Sequence, residues 1–275
     1  MEKKEFSGVR DTLFIPLAAR AAVSQKFPEY FYDKTAMQFK DLEQVKAILA
    51  RSSEYSAIAS AARYYNMDHY VTEFLEEHPD GNVVDLGAGL ETMNDRIACP
   101  EMQFYAVDYP DVIRLREEIL GKAKNETQIG CDITDLSWTE RLDLKRPVIF
   151  IASGVFQYFK PEEVSQLIQS LKSLFQNAEM VFDATNEIGI RYARRYVKKS
   201  GNQEAMMYFY VNDPLKFAEE NGVELLEVRG FYKEARKIIG RKLNLYTRVA
   251  MKVADDKKRT LLLHLQLSSQ RFSQG

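Results

Sequence analysis

NVVDLGAGLETMNDR, residues 82–96, is the stretch that decides how this chain reads. A short apolar run ends in Asp85, and Gly87, Ala88 and Gly89 follow as a tight turn. A second apolar run, Gln103–Val107, closes in Asp108, 23 residues after Asp85. Strand, glycine turn, helix, strand and terminal acid together form a nucleoside-binding half-site. The glycines let a ligand approach the backbone, and the acid accepts hydrogen bonds from ribose hydroxyls.

The same stretch discriminates between nucleoside cofactors. A dinucleotide site uses three glycines, so that a pyrophosphate reaches the amides at a helix N-terminus. Here the third position is Thr92, and Glu91 precedes it. An acid repels a pyrophosphate but is tolerated beside an ammonium or sulfonium. The pattern D-x-G-x-G therefore favours S-adenosylmethionine over NAD. Taken alone, the stretch is equally a glycine turn between a buried strand and a helix.

Composition narrows the class. The chain has 275 residues, of which 45% are hydrophobic and 28% charged, a soluble balance. A net charge of -2 gives no positive field for nucleic acid. No apolar run approaches membrane-spanning length, so no membrane partner is expected. Cys99 and Cys131 form no spaced framework, and His69, His78 and His264 are scattered, so no metal site is expected. The charged start, MEKKEFSG, has no apolar signal region, and the expected setting is cytoplasmic. Nothing in the sequence sets an oligomeric state.

Apolar periodicity organises the rest. Residues 11–26, 41–49 and 53–77 read as helices, making 1–80 an N-terminal helical cap. Apolar runs at 82–87, 103–107, 127–131, 147–152, 179–183, 223–229 and 243–251 alternate with helical segments at 91–98, 110–121, 161–175, 186–198 and 212–221. This predicts an α/β fold: a seven-stranded mixed sheet with helices on both faces and a crevice at the strands' carboxyl ends. The last two runs are close enough for a hairpin, so one edge is expected to be antiparallel. A single domain over 1–254 is expected, with 185–212 as an insertion on the acceptor side and 255–275 as a tail whose middle, LLLHLQL, reads as a short extra strand or helix.

In these motifs the chain resembles the leucine carboxyl methyltransferase family, and most closely its bacterial polyketide and small-molecule O-methyltransferases. The resemblance runs from residue 9 to 252. It is carried by AARAAVSQKFPEYFYDKTA at 18–36, AARYYNMD at 61–68, VVDLGAGLETMNDRI at 83–97, CDITDLSW at 131–138 and SGVFQYFKPEEV at 153–164. It implies a Rossmann-like fold and S-adenosylmethionine as cofactor. Arg63 would then grip the cofactor's carboxylate, a task suited to a planar guanidinium; the alternative is an ion pair with Asp68 or Glu73. Gly87 and Gly89 would admit the ligand. Asp108 would take the ribose, as its place at the end of an apolar run already suggests. Tyr109 would stack beside the adenine, with Asp132 and Ile133 across from it; Asp132 equally suits a turn cap. Asp85 would orient the glycine turn by accepting its amides. One position departs from the family pattern: Ser153 stands where an acid usually precedes Gly154. A hydroxyl cannot pair with an ammonium as a carboxylate does, and Glu91 is a candidate to compensate.

Acceptor-side candidates are Tyr158, Arg20 and Arg191. Each has a plainer reading, as a rim aromatic or as a solvated charge. The implied reaction is O-methylation of a carboxylate or acidic hydroxyl on a small-molecule acceptor. A carboxylate carries its nucleophilic charge already, and no histidine falls in a motif to serve as a base. The alternatives are an adenosyl-cofactor-binding protein without catalysis and a nicotinamide-dependent oxidoreductase.

Overall fold

The computed structural model describes residues 5–97, 99–191 and 206–268. Four helices come first: α1 (Glu5–Lys26), α2 (Lys34–Gln38), α3 (Glu43–Arg51) and α4 (Glu54–Glu77). The alternating part follows as β1 (Asn82–Leu86), α5 (Met93–Arg96), β2 (Gln103–Asp108), α6 (Pro110–Leu120), β3 (Glu126–Gly130), β4 (Val148–Ala152), α7 (Pro161–Leu174) and β5 (Ala178–Thr185). The chain then continues through α8 (Pro214–Glu220), β6 (Glu224–Gly230), α9 (Lys233–Ile238), α10 (Leu245–Asp256) and β7 (Thr260–Ser268). No described helix is long and apolar enough to cross a membrane.

Local chemistry starts and stops these elements. Ser53 and Ser56 form a reciprocal capping box at the start of α4. Pro110 and Pro161 open α6 and α7, where a missing amide hydrogen costs nothing. β1 and β4 are buried on every residue and lie at the centre of the sheet. β6 alternates between exposed and half-buried residues, as an edge strand should.

The strands run in the order β3-β2-β1-β4-β5-β7-β6. β3, β2, β1, β4 and β5 are mutually parallel, and β7 is antiparallel to both β5 and β6. The order reverses between β1 and β4, which opens the crevice at their carboxyl ends. Alternate residues face opposite layers. Val83, Ile149, Ile151 and Val181 pack toward α4 and α9, whereas Val84, Leu86, Phe150 and Phe182 pack toward α7. Phe14, Leu17 and Ala18 of α1 join Leu90 in a third cluster, which seats the N-terminal helices against the glycine turn.

The seventh strand is not where periodicity puts it. Residues 243–251 (LNLYTRVAM) alternate apolar and polar, yet they lie largely in α10. Asn244 caps that helix by accepting from the Thr247 amide. Thr247, Met251 and Ala254 face inward at helical spacing, while Leu245 and Val249 face outward at 73% and 54% exposure. The alternation was therefore half solvent-facing. The strand is TLLLHLQLS, residues 260–268, within the stretch read as a tail from 255 onward. It inserts between β5 and β6, so the domain extends through Ser268. The antiparallel edge is present, with β7 as the partner of β6.

Candidate active site

The glycine turn leaves β1 in a conformation that L side chains resist. Gly87 has φ +74° and Gly89 has φ +49°. A Cβ on Gly87 would lie 2.5 Å from Val155 Cγ2, so this position also needs the missing side chain for packing. The turn's amides do not go to Asp85, contrary to expectation. Gly87 and Ala88 donate to the Val107 carbonyl at 2.8 and 3.2 Å. Gly89 donates to Asp108 Oδ2 at 2.8 Å, and Tyr109 donates to Asp108 Oδ1 at 2.7 Å. Asp108 thus holds the turn and the start of α6 at once. Burial pushes its carboxyl above the usual range, and the two amides partly pull it back. Each carboxylate oxygen keeps a second lone pair for another donor.

Across the cleft, Tyr109 Oη lies 3.3 Å from Asp132 Oδ2. Asp132 also accepts from the Thr134 amide and hydroxyl at 2.9 and 2.7 Å, so its turn-capping role is present. Burial opposes that charge, but the Thr134 bonds hold the carboxyl below its ordinary value. Tyr109 is 53% exposed. Ile133 is buried, and its carbonyl accepts from Trp138 Nε1 at 3.0 Å.

A second group gathers on the face of the sheet covered by α4. Asp85, Ser153 and Asp183 continue the alternation of Val83, Ile151 and Val181. Arg63 reaches them from α4, with Nη2 3.3 Å from Asp183 Oδ2. Asp183 Oδ1 also accepts a short hydrogen bond from the Gly154 amide. Among the described residues, Asp85 Oδ2, Ser153 Oγ and Arg63 Nε are buried without a hydrogen-bond partner. Burial, with Glu91 and Asp108 nearby, pushes the Asp85 carboxyl well above the ordinary range. Of the two partners considered for Arg63, Asp68 instead pairs with Arg96 and Glu73 with His69.

Three arginines brace the turn from behind. Arg116 Nη1 donates to the Gly89 and Glu91 carbonyls at 3.1 and 2.6 Å, while its Nε and Nη2 grip Glu126. Arg20 Nη2 donates to the Leu90 carbonyl at 2.5 Å. Arg96 pairs with Glu91 at 2.7 Å. Arg20 is therefore misread as an acceptor-side group. It is wholly buried, and its Nε donates to Asp33 at 2.8 Å. Glu91 has one oxygen spent, accepting from Thr92 N at 2.7 Å and pairing with Arg96, while its Oε2 is buried without a hydrogen-bond partner among the described residues, 3.6 Å from Arg20 Nη1. Arg191 is exposed and pairs with Glu187. Most of the expected acceptor insertion, 192–205, lies outside the described residues. Tyr158 sits in a short turn after β4 and is 46% exposed.

Asp183 and Arg116 were not singled out in the sequence. Asp183 gives the same signal as Asp108, an acid closing the apolar run 179–183. Arg116 was visible only as a charge on the apolar face of α6, beside Val112, Ile113 and Leu115. A cavity of about 330 Å³ opens elsewhere, between α9 and α10, lined by Arg236, Arg241, Leu243, Arg248 and Lys252 among others. It shares no residue with the strand ends.

The strand order, with β7 inserted antiparallel, departs from the six-stranded dinucleotide arrangement. Residues 9–172 match the sequence profile described as Leucine carboxyl methyltransferase. The chain belongs to the leucine carboxyl methyltransferase family. It is a methyltransferase, and its cofactor is S-adenosylmethionine. It is 25% identical over 194 residues to the tetracenomycin polyketide synthesis O-methyltransferase TcmP of Streptomyces glaucescens, covering 70% of this chain and 72% of that protein. Two solved structures share the fold. One, a candidate methyltransferase from Thermobifida fusca, has a TM-score of 0.59 at 16% identity, covering 84% of this chain and 90% of its own. The other, a DUF574-family protein from Streptomyces avermitilis, has a TM-score of 0.57 at 17% identity, covering 90% and 96%. The family's cofactor fits the residues present. The buried polar atoms without partners on Asp85, Ser153 and Arg63 suit a polar amino-acid head, and Asp108 suits a ribose.

Proposed function

We propose that this family member methylates an oxygen, a carboxylate or an acidic hydroxyl, on a small-molecule acceptor. In this reading the cofactor is held by Arg63, Asp85, Gly87, Gly89, Asp108, Tyr109, Asp132, Ile133 and Ser153. S-adenosylmethionine supplies an electrophilic methyl group when bound. The chain's own task is to orient the acceptor and exclude water.

The carrying observation is where the histidines lie. His69 is on α4, His78 caps the C-terminus of that helix, and His264 pairs with Glu179 at 2.7 Å in the body of the sheet. None stands at the carboxyl ends of β1 and β4. A carboxylate acceptor leaves as a neutral ester without moving a proton, so it needs no such base. In this reading Tyr158, half-exposed after β4, donates a hydrogen bond to the attacking oxygen. An ordinary phenol is a poor base near neutral pH. The O-methyltransferase description of TcmP supports the choice of oxygen.

The test is transfer of a labelled methyl group to a panel of small apolar acids and phenols, with mass identification of the product. Label on a small acid is the expected result. Label on a protein's terminal carboxylate, with no turnover of small acids and phenols, rejects the acceptor class and leaves the cofactor untouched.

A further inference from the structure

We propose that Asp183 is the carboxylate that receives the cofactor's ammonium, in place of the acid that Ser153 replaces. The proposal rests on the cofactor placement given above. Its starting point is the sheet register. Ala152 pairs with Phe182, so Ser153 and Asp183 lie side by side one step further on. Adjacent parallel strands are about 4.8 Å apart. The missing carboxylate is thus supplied from the neighbouring strand, on the same face of the sheet.

The local bonding supports a receptor rather than a fastener. Arg96 and Asp68 show what a fastening pair looks like on this side of the molecule, with two contacts of 2.7 Å in a fork. Arg63 meets Asp183 through one contact of 3.3 Å, and its Nε is buried without a hydrogen-bond partner. A partly buried pair joined so loosely recovers little of its desolvation cost. Asp183 is itself fixed, because the Gly154 amide donates to its other oxygen. The guanidinium rests directly on Gly154, where a Cβ would lie 2.6 Å from Nη1. Cation and anion are therefore held side by side with bonding capacity unspent. An α-amino-acid zwitterion is their complement: its carboxylate faces Arg63, its ammonium faces Asp183, and Ser153 Oγ provides a further acceptor.

The experiment uses two probes on the full-length chain. S-adenosylhomocysteine carries the amino-acid head, and methylthioadenosine lacks it. Asp183→Asn keeps an oxygen for the Gly154 amide and removes only the charge. Calorimetric titration should show S-adenosylhomocysteine binding weakened about 10–100-fold, with methylthioadenosine unchanged. Adding Ser153→Asp to Asp183→Asn should restore much of the loss. Unchanged S-adenosylhomocysteine binding, or equal weakening of both probes, overturns the role of Asp183. Asp108→Ala separates the two levels of the argument, since it should weaken both probes. If it weakens neither, the cofactor placement fails, and this proposal fails with it.

Discussion

Arg116 offers the sharpest test of how the cofactor loop is held. The residue is 2% exposed and spends its guanidinium on Glu126 and on the Gly89 and Glu91 carbonyls. Arg116→Leu keeps the apolar stem but leaves the Glu126 carboxylate, 5% exposed, without its cation. Removing one partner of a buried pair costs about 3–5 kcal/mol, most of it the uncompensated charge. For a chain of this length that corresponds to a drop of about 5–10 °C in melting temperature. Adding Glu126→Leu removes the stranded charge, and the double variant should recover roughly half of the loss. The two freed carbonyls stay unpaired in both variants, so cofactor affinity should fall in both. Thermal denaturation and calorimetry measure the two effects separately. A single variant within about 1 kcal/mol of the parent, with unchanged cofactor affinity, refutes the bracing argument.

Three further outcomes follow from the site. Gly89→Ala should cost about 1–2 kcal/mol from its left-handed backbone alone, because its new Cβ meets only the flexible end of Leu13; Gly87→Ala, pressed against β-branched Val155, should cost about 2–5 kcal/mol, and denaturation giving the reverse order contradicts the turn geometry. Tyr158→Phe should lower turnover several-fold by loss of the orienting hydroxyl, and unchanged turnover would remove Tyr158 from the acceptor side. Burial beside Glu91 and Asp33 raises the Asp68 carboxyl to about 6, against the pull of Arg96. With the folded value above the unfolded one, this stability is complete below about pH 4 and is lost as pH rises through about 6, amounting to at most about 3 kcal/mol. Asp68→Asn should flatten that decline in melting temperature, and identical slopes would exclude Asp68 as its source.

The parallel half of the sheet was legible because each element carries its own signal. β1 and β4 are short apolar runs, α6 and α7 start at prolines, and Gly87 and Gly89 take up the turn that only glycine enters freely. Asp108 was legible for the same kind of reason, a charge at the end of a buried strand. What misled was alternation without a fixed face: Leu245 and Val249 look like strand residues and instead point outward from a helix. β7 was harder to see because its first half, Leu261–Leu263, is an apolar run buried on both faces, and only 263–267 alternates with period two. Arg20 reads as a surface charge on an alanine-rich helix. Only the fold brings it against Leu90, 70 residues away, and makes it a brace. Asp183 needed the register of β4 against β5, because no local pattern tells an acid which strand lies beside it.

Competitive calorimetry with S-adenosylmethionine, S-adenosylhomocysteine and NAD tests the central claim most directly. The account predicts saturable binding of S-adenosylmethionine at one site, competition by S-adenosylhomocysteine, and no competition by NAD. Binding of NAD in the range expected for the adenosyl ligands, with no binding of the adenosyl ligands themselves, would contradict it.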